Sequence, residues 1–257
     1  MDAMPPNAAE VARRLAALKV VCLYALHAPV RARLAELGRS WSPAEKNQFE
    51  ASANQERDAY WKKVKDAGLW SELTPSERVL AGTTVATMTA AQQRDAAWRV
   101  EAIAVLLWAL HARDALPGYD APTEHEIVNA AARDDAPLRS EGEIQQARAV
   151  AELWGWRART REQIERGAPL AQTPQMKRAG IATYDQQVRT AAAAARAKGH
   201  IPAPIDGDFP VHGGAYRVLS AGEWAAVRSL SRERLLALNW LAGRAPGNRW
   251  DETKAES

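Results

Sequence analysis

Two charged residues stand at the head of a strongly apolar stretch. The sequence WRVEAIAVLLWAL, from Trp98 to Leu110, carries Arg99 and Glu101 among side chains that are otherwise apolar. On a helix these two side chains point to different sides, so each needs a partner on another element. An unpaired buried charge costs several kcal/mol, and we therefore favour a paired structural network over a ligand-binding pair or a catalytic carboxylate. Arg157 is one candidate partner for Glu101, and Glu152 or Glu143 could pair with Arg99. Simple exposure of the two charges at the helix start is the remaining alternative.

The sequence IDGDFPVHGG, residues 205–214, is the second stretch with ligand-type side chains. Asp206, Asp208 and His212 could supply oxygen and nitrogen ligands to a divalent ion, but the glycine and glutamate that complete a calcium loop are missing. Asp-Gly and Gly-Gly pairs are typical of tight turns. The sequence has no cysteine cluster and no HExxH pattern for zinc. We predict turn structure here and no metal site.

Three residues near the C-terminus complete the candidate binding site or buried polar network. Asn239 lies in the apolar segment ERLLALNWLAG, and Trp250 and Asp251 add an aromatic ring and a carboxylate. For Trp250 and Asp251, docking of the tail or helix capping is the favoured interpretation. No GxSxG elbow, phosphate-binding glycine loop or dinucleotide motif occurs. The sequence therefore predicts no catalytic residue and no cofactor.

The elements that must position these residues are predicted to be helices. Helix-forming residues dominate and β-branched runs are scarce. Capping patterns predict helix starts at Ser42, Thr74, Ser140 and Ser220. The predicted helical segments are 10–27 (which buries Cys22 and ends or kinks at Pro29), 30–37 up to Gly38, 42–67, a helix opened by Thr74, 90–112, a short helix from Thr123, 140–167, one that ends at Gly199, and one from 220 to Gly243.

Residues 200–218 hold much of the proline and glycine but also Ile201, Phe209 and Tyr216. This apolar content favours a long ordered, packed loop over a flexible linker. We see no internal repeat and no linker between domains. The sequence thus predicts an all-α protein with a single globular multi-helix domain over residues 1–257, frayed at 1–8 and 252–257.

Composition is that of an ordinary globular protein, with 47% hydrophobic and 25% charged residues and a net charge of +3. So small a charge excess argues against nucleic acid as a partner. The basic and aromatic segment Trp154–Arg161 has glutamates on both sides, so packing explains it better than stacking on bases. Gly155 inside that helix predicts a close approach by another helix.

No signal peptide is apparent and the longest apolar run is too short to span a membrane, so we expect a cytoplasmic protein.

Six stretches resemble, in this order, the bacterial family known as domain of unknown function DUF4272: GLWSELTPSE, WRVEAIAVLLWAL, LRSEGEI, ELWGWRART, IPAPIDGDFP and RLLALNWLAGRAPGNRWDET. The resemblance implies an α-helical cytoplasmic protein and carries no established activity. The ending WDETKAES departs from the family pattern, in which an Asp-Thr pair is expected. The positions that carry the pattern in this chain are Trp98, Arg99, Glu101, Trp108, Arg157, Asn239, Trp240, Trp250 and Asp251.

The functional hypothesis favoured by the sequence is a non-catalytic protein-interaction protein of the immunity, adaptor or regulatory type, with a protein partner. It depends on the ten tryptophans and on the lack of catalytic patterns. The alternative is an enzyme or small-ligand binder with a polar cleft built around Glu101, Arg99, Arg157 and the Asp206–Asp208 loop. Exposed tryptophans would favour the first hypothesis, and a polar pocket would favour the second.

Overall fold

The computed structural model of the protein describes residues 4–26, 36, 40–84, 87–132 and 136–255. Most of these residues are helical, which confirms the predicted all-α class. The chain divides into two compact units. The first unit takes in residues 1–116, 123–139 and 243–253, and the second takes in 117–122, 140–242 and 254–257. The single-domain organisation and the frayed ends at 1–8 and 252–257 stay predictions.

The first unit is organised around two buried helices. Its helices are α1 (Ala8–Leu26), α2 (Pro43–Asp66), α3 (Pro75–Arg78), α4 (Ala90–Ala97) and α5 (Arg99–Ala109). Helix α1 packs against both α4 and α5. Every residue of α5 from Val100 to Ala109 is buried, so the apolar stretch forms a central helix of this unit. Short 3-10 turns complete the unit at Leu69–Glu72, Val79–Gly82, His125–Asn129, Pro246–Asn248 and Trp250–Glu252.

The second unit consists of helices and one long loop. Its elements are α6 (Glu141–Glu165), α7 (Pro174–Arg178), α8 (Tyr184–Ala197), β1 (Pro210–Val211), β2 (Gly214–Ala215), a 3-10 turn at Tyr216–Val218 and α9 (Ala221–Leu241). The two strands form an antiparallel hairpin within the loop. Ile201, Phe209 and Tyr216 are at most 3% exposed, so the prediction of a packed loop is confirmed.

Helices α6 and α9 pack along each other, and Gly155 of α6 lies at this contact. A Cβ atom at position 155 would lie 3.3 Å from Cδ2 of Leu235. The predicted close approach of another helix at this glycine is therefore confirmed.

Side-chain caps set the helix starts as the sequence predicts. Ser42, Thr74, Ser140 and Ser220 each cap a helix and form a reciprocal bond with the glutamate three residues later. The predicted helix over 90–112 is instead two helices, α4 and α5, that meet at Trp98. Helix α7 was not predicted. His27, Pro29, the predicted segment 30–37 and Gly38 lie at least in part outside the described residues.

The prediction of a helix that begins at Thr123 is wrong. A short 3-10 turn forms at His125–Asn129 instead. Thr123 does not cap a helix, because its backbone N–H and its hydroxyl both bind the buried carboxylate of Glu101. None of the helices within the described residues is long and apolar enough to cross a membrane.

Cys22 provides a chemical probe of the first unit. It is fully buried on α1, as predicted, and burial raises the pKa of its thiol to about 12. Because the thiolate is the reactive form, we expect Cys22 of the folded protein to resist an aromatic disulfide reagent at mildly alkaline pH and to react at once in concentrated urea. Absorbance of the released thiolate measures this, and rapid labelling without urea would contradict the buried position.

Candidate functional site

The candidate residues divide between the two units. Arg99, Glu101, Trp250 and Asp251 belong to the first unit, whereas Arg157, Asp206, Asp208 and Asn239 belong to the second. Each group has its own partners within its unit, and the two groups are described in turn.

Glu101 is a fully buried carboxylate in the first turn of α5. The backbone N–H of Thr123 donates to its Oε1 at 2.7 Å, and the Thr123 hydroxyl donates to its Oε2 at 2.8 Å. These bonds attach residues 123 onward to the central helix. Arg157, the partner predicted for Glu101, instead pairs with Asp208. That expectation was wrong because both oxygens of Asp208 are presented to the planar guanidinium fork, a geometry that favours a bidentate pair.

A second buried ion pair joins α1 to α3 in the first unit. Nη2 of Arg14 donates to Oε1 of Glu77, and Nη1 donates to the carbonyl oxygen of Glu72 at 3.0 Å. Both charged side chains are at most 6% exposed. Burial alone would raise the pKa of Glu77, but the charge and hydrogen bond of Arg14 outweigh burial and hold that pKa below its ordinary value. Arg99, which is half-buried, adds its positive charge to this pair.

Trp250 and Asp251 dock the C-terminal segment of the first unit. The guanidinium of Arg14 lies over the Trp250 ring, 4.7 Å from its centre. The Ser76 hydroxyl donates to the two carboxylate oxygens of Asp251 at 3.2 and 3.3 Å. Docking is thus the role these contacts support. Sequence reasoning missed Arg14 and Glu77, although Arg14 falls between Val11 and Leu18 on the apolar stripe of α1, where a charge needs a partner.

The Arg157–Asp208 pair is the central polar contact of the second unit. Nε and Nη2 of Arg157 each donate to one oxygen of Asp208 at 2.7 Å, and the two side chains are 2% and 1% exposed. Asp208 also accepts from the backbone N–H groups of Phe209 at 2.8 Å and Arg217 at 2.9 Å. The Arg157 guanidinium lies 4.4 Å from the centre of the Tyr216 ring. One carboxylate therefore holds both ends of the 208–217 segment to α6.

A second buried arginine, Arg234 of α9, holds residues 117–121 of the same unit. Its Nη1 donates to the carbonyl oxygens of Pro117 at 2.9 Å and Gly118 at 2.8 Å. Its guanidinium lies over the ring of Tyr119, 4.9 Å from the centre. Sequence reasoning missed this residue. The available signal was its place at the start of the buried segment RLLALNWL, where the remaining side chains leave little room for a solvated charge.

A cavity of about 270 Å³ opens between these two arginine-supported segments. Tyr119 and Trp154 contribute a stacked aromatic pair, with ring centres 5.1 Å apart and planes 4° from parallel. We call this cavity the loop pocket. It is lined by Gly118, Tyr119, Asp120, Trp154, His200, Pro202 and residues 210–213.

The remaining candidates of the second unit have structural surroundings. Asp206 is in a left-handed backbone conformation at φ 50°, followed by Gly207 at 77°, and the pair His212 and Gly213 repeats this pattern at 52° and 75°. The predicted turns are confirmed. The side-chain amide of Asn239 donates to the carbonyl oxygen of Lys254 at 2.8 Å. Within the described residues, no three histidine, cysteine, aspartate or glutamate side chains are grouped in a way that could hold a metal ion.

Comparison with protein families gives one match, a model described as a domain of unknown function (DUF4272), over residues 2–174. The matched region covers more than half of the chain and contains all five helices of the first unit and the whole of α6. The similar stretches at 201–210 and 234–253 lie beyond it. Comparison with the curated proteins and with solved structures gives no match.

Asp208→Asn tests whether the bidentate pair holds the loop. The amide keeps the shape of the side chain but leaves the buried Arg157 charge without its counter-ion, and we expect a loss of about 3 kcal/mol in the free energy of unfolding. Urea unfolding followed by circular dichroism measures it. Asp206→Asn is the control, because Asp206 is exposed in the same turn. This variant should lose far less free energy of unfolding. Equal effects of the two substitutions would contradict the role assigned to Asp208.

Glu77→Gln tests the buried pair of the first unit through pH. The lowered pKa of Glu77 means that its contribution to stability is present above the ordinary value of 4.5 and is lost as the pH falls through the lowered pKa. We expect the variant to be less stable than the wild type at neutral pH and the difference to shrink at an acidic pH below 4.5. Urea unfolding at both pH values measures it, with the exposed Glu50→Gln as control. A difference that does not depend on pH would contradict the assignment.

Proposed function

We propose that this chain, which belongs to the DUF4272 family of unknown function, binds a small amine-bearing ligand in the loop pocket of its second unit. The observation that carries the proposal is the carboxylate of Asp120. It lines the pocket, and within the described residues it takes part in no hydrogen bond or ion pair. A negative charge beside an aromatic cavity attracts a cationic group more strongly than a neutral or anionic one.

The position of Asp120 depends on the neighbouring glycine. A Cβ atom at Gly118 would lie 2.4 Å from Oδ1 of Asp120, so any larger side chain at position 118 would displace the carboxylate. Arg234 holds the Gly118 carbonyl oxygen from the other side. The backbone that leads to Asp120 is therefore held by a buried side chain, while the Asp120 side chain itself is exposed at the edge of the pocket.

The aromatic part of the pocket suits a small flat molecule. Tyr119 and Trp154 are 9% and 3% exposed, so only a small part of each ring is open to a ligand. His200 and His212 also line the pocket and add ring nitrogen atoms that can form hydrogen bonds. The volume of about 270 Å³ lies just below the usual range for ligand pockets, which favours a ligand no larger than a small aromatic amine.

Both walls of the pocket are held in place without a ligand. Asp208 is paired with Arg157 on one side, and Arg234 binds the 117–118 carbonyl oxygens on the other. Binding to a preformed pocket loses little free energy to reordering of the protein, so a small ligand can bind with useful affinity.

The protein-partner hypothesis drawn from the sequence stays a prediction, as do the bacterial source and the cytoplasmic location. Where the protein-partner hypothesis depends on the tryptophans, it predicts exposed indole rings. Each of the ten tryptophans is instead buried or half-buried. The tryptophans thus support helix packing more than a docking surface, and for this reason we place the ligand-binding hypothesis first.

Phenethylamine and phenylacetate are a matched pair of probes, because they share a phenyl ring and differ in the sign of their charge. We expect saturation transfer from the protein to phenethylamine in ligand-observed NMR, and much less transfer to phenylacetate. Asp120→Asn should weaken the binding of phenethylamine by about tenfold, which corresponds to about 1.4 kcal/mol in binding free energy. Gly118→Ala should have a similar effect by displacing the carboxylate.

Asp114→Asn is the control, because Asp114 is exposed and does not line the loop pocket. It should bind phenethylamine like the wild type. Equal binding of the amine and the acid, or unchanged binding by Asp120→Asn, would contradict the proposal.

A further inference from the structure

A second cavity of the second unit, of about 160 Å³, lies along helices α6 and α9. It shares no lining residue with the loop pocket. We call it the arginine cavity, because three of its lining side chains are arginines. It is lined by Gly155, Ala158, Arg159 and Glu162 of α6, by Arg228 and Arg232 of α9, and by Ala255.

Among the described residues that line this cavity, positive charges outnumber negative ones. Glu162 is the one carboxylate of that described lining, and two arginines already neutralise it: Nη2 of Arg166 lies 2.5 Å from Oε1, and Nη2 of Arg228 lies 3.1 Å from Oε2. Arg232 is 67% exposed and approaches Glu233 only at 3.5 Å. The cavity therefore has the electrostatic character of an anion site.

Among the lining side chains, Arg159 is the best suited to bind an anion. It is half-buried, and within the described residues its guanidinium takes part in no hydrogen bond or ion pair. Its five N–H donors are strong hydrogen-bond donors to oxyanions. The other two arginines lie on the facing helix, so three arginine side chains line one small space.

Gly155 makes room for this guanidinium. A Cβ atom at position 155 would lie 3.4 Å from Nη1 of Arg159, which is van der Waals contact. Arg159 thus folds back along α6, over the turn that contains the glycine. This gives the glycine a second role beside the approach of Leu235, and it explains why a residue of poor helix propensity occurs inside a long helix.

We propose that the arginine cavity binds a tetrahedral oxyanion, either free phosphate or the phosphate of a phosphomonoester, with Arg159 as the main ligand and Arg228 and Arg232 as supporting cations. A tetrahedral anion offers oxygen atoms in several directions and so can bind guanidinium groups on two helices at once. It also relieves the repulsion among the three arginines. The site is independent of the proposed amine pocket, since it has a different lining and the opposite charge preference.

The experiment is thermal unfolding of the whole protein with sodium phosphate, compared with sodium chloride at equal ionic strength. A ligand that binds only the folded state raises the melting temperature in a concentration-dependent way. We expect a rise with phosphate beyond that with chloride, and an affinity from the concentration series that weakens by about tenfold in Arg159→Gln. Arg232→Gln, on a mostly exposed side chain, should also weaken phosphate binding and leave the melting temperature in chloride unchanged.

Arg196→Gln is the matched control, because Arg196 is an exposed arginine of α8 that does not line the cavity. It removes the same charge from the unit and should retain full phosphate binding. Glycerol phosphate serves as a second probe: tighter binding than free phosphate identifies a phosphomonoester as the ligand class, and weaker binding identifies the free anion. Equal effects of phosphate and chloride on the wild type, or equal phosphate affinity in Arg159→Gln and Arg196→Gln, would overturn the proposal.

Discussion

The bidentate contact between Arg157 and Asp208 is the interaction on which the second unit depends. Taking two charges out of water is unfavourable, and their attraction offsets that cost only when the geometry is good and the remaining hydrogen-bonding groups are satisfied. Here the two parallel bonds of 2.7 Å meet the first condition. The N–H groups of Phe209 and Arg217 meet the second for Asp208. A segment with only two short strands thereby acquires a defined conformation, and one wall of the loop pocket acquires its shape.

Buried and half-buried arginines repeat this role in both units, and aromatic rings accompany them. Each guanidinium binds a carboxylate or several carbonyl oxygens in its plane and covers an aromatic ring with its face, which uses both modes of interaction open to a planar cation. This arrangement gives the aromatic rings in these pairs a structural role that does not require a partner protein. The arginine and ring pairs are Arg14 with Trp250, Arg139 with Trp108, Arg157 with Tyr216, and Arg234 with Tyr119.

Local patterns in the sequence were enough to predict the helices but not the partners of the buried charges. Ser140 and Ser220 could be identified as caps because a capping box is formed by residues three positions apart. Arg157 and Asp208 could both be identified as candidates, yet the sequence separation of 51 between them left their pairing open. Thr123 illustrates the limit most clearly. Its sequence context predicts a helix start, and the buried carboxylate of Glu101 binds its donors instead.

The presence or absence of a partner separates structural charged side chains from candidate functional ones. Arg14, Arg157 and Arg234 are buried and matched by carboxylates or carbonyl oxygens, so their charges are used within the fold. Asp120 and Arg159 are different, because each lines a cavity and, among the described residues, makes no hydrogen bond or ion pair. Each also lies against a glycine, Gly118 or Gly155, at which a larger side chain would crowd it. A charge that the backbone accommodates and the fold does not neutralise remains available to a ligand of opposite sign. On this argument the two cavities select for different ligands, an amine in the loop pocket and an oxyanion in the arginine cavity.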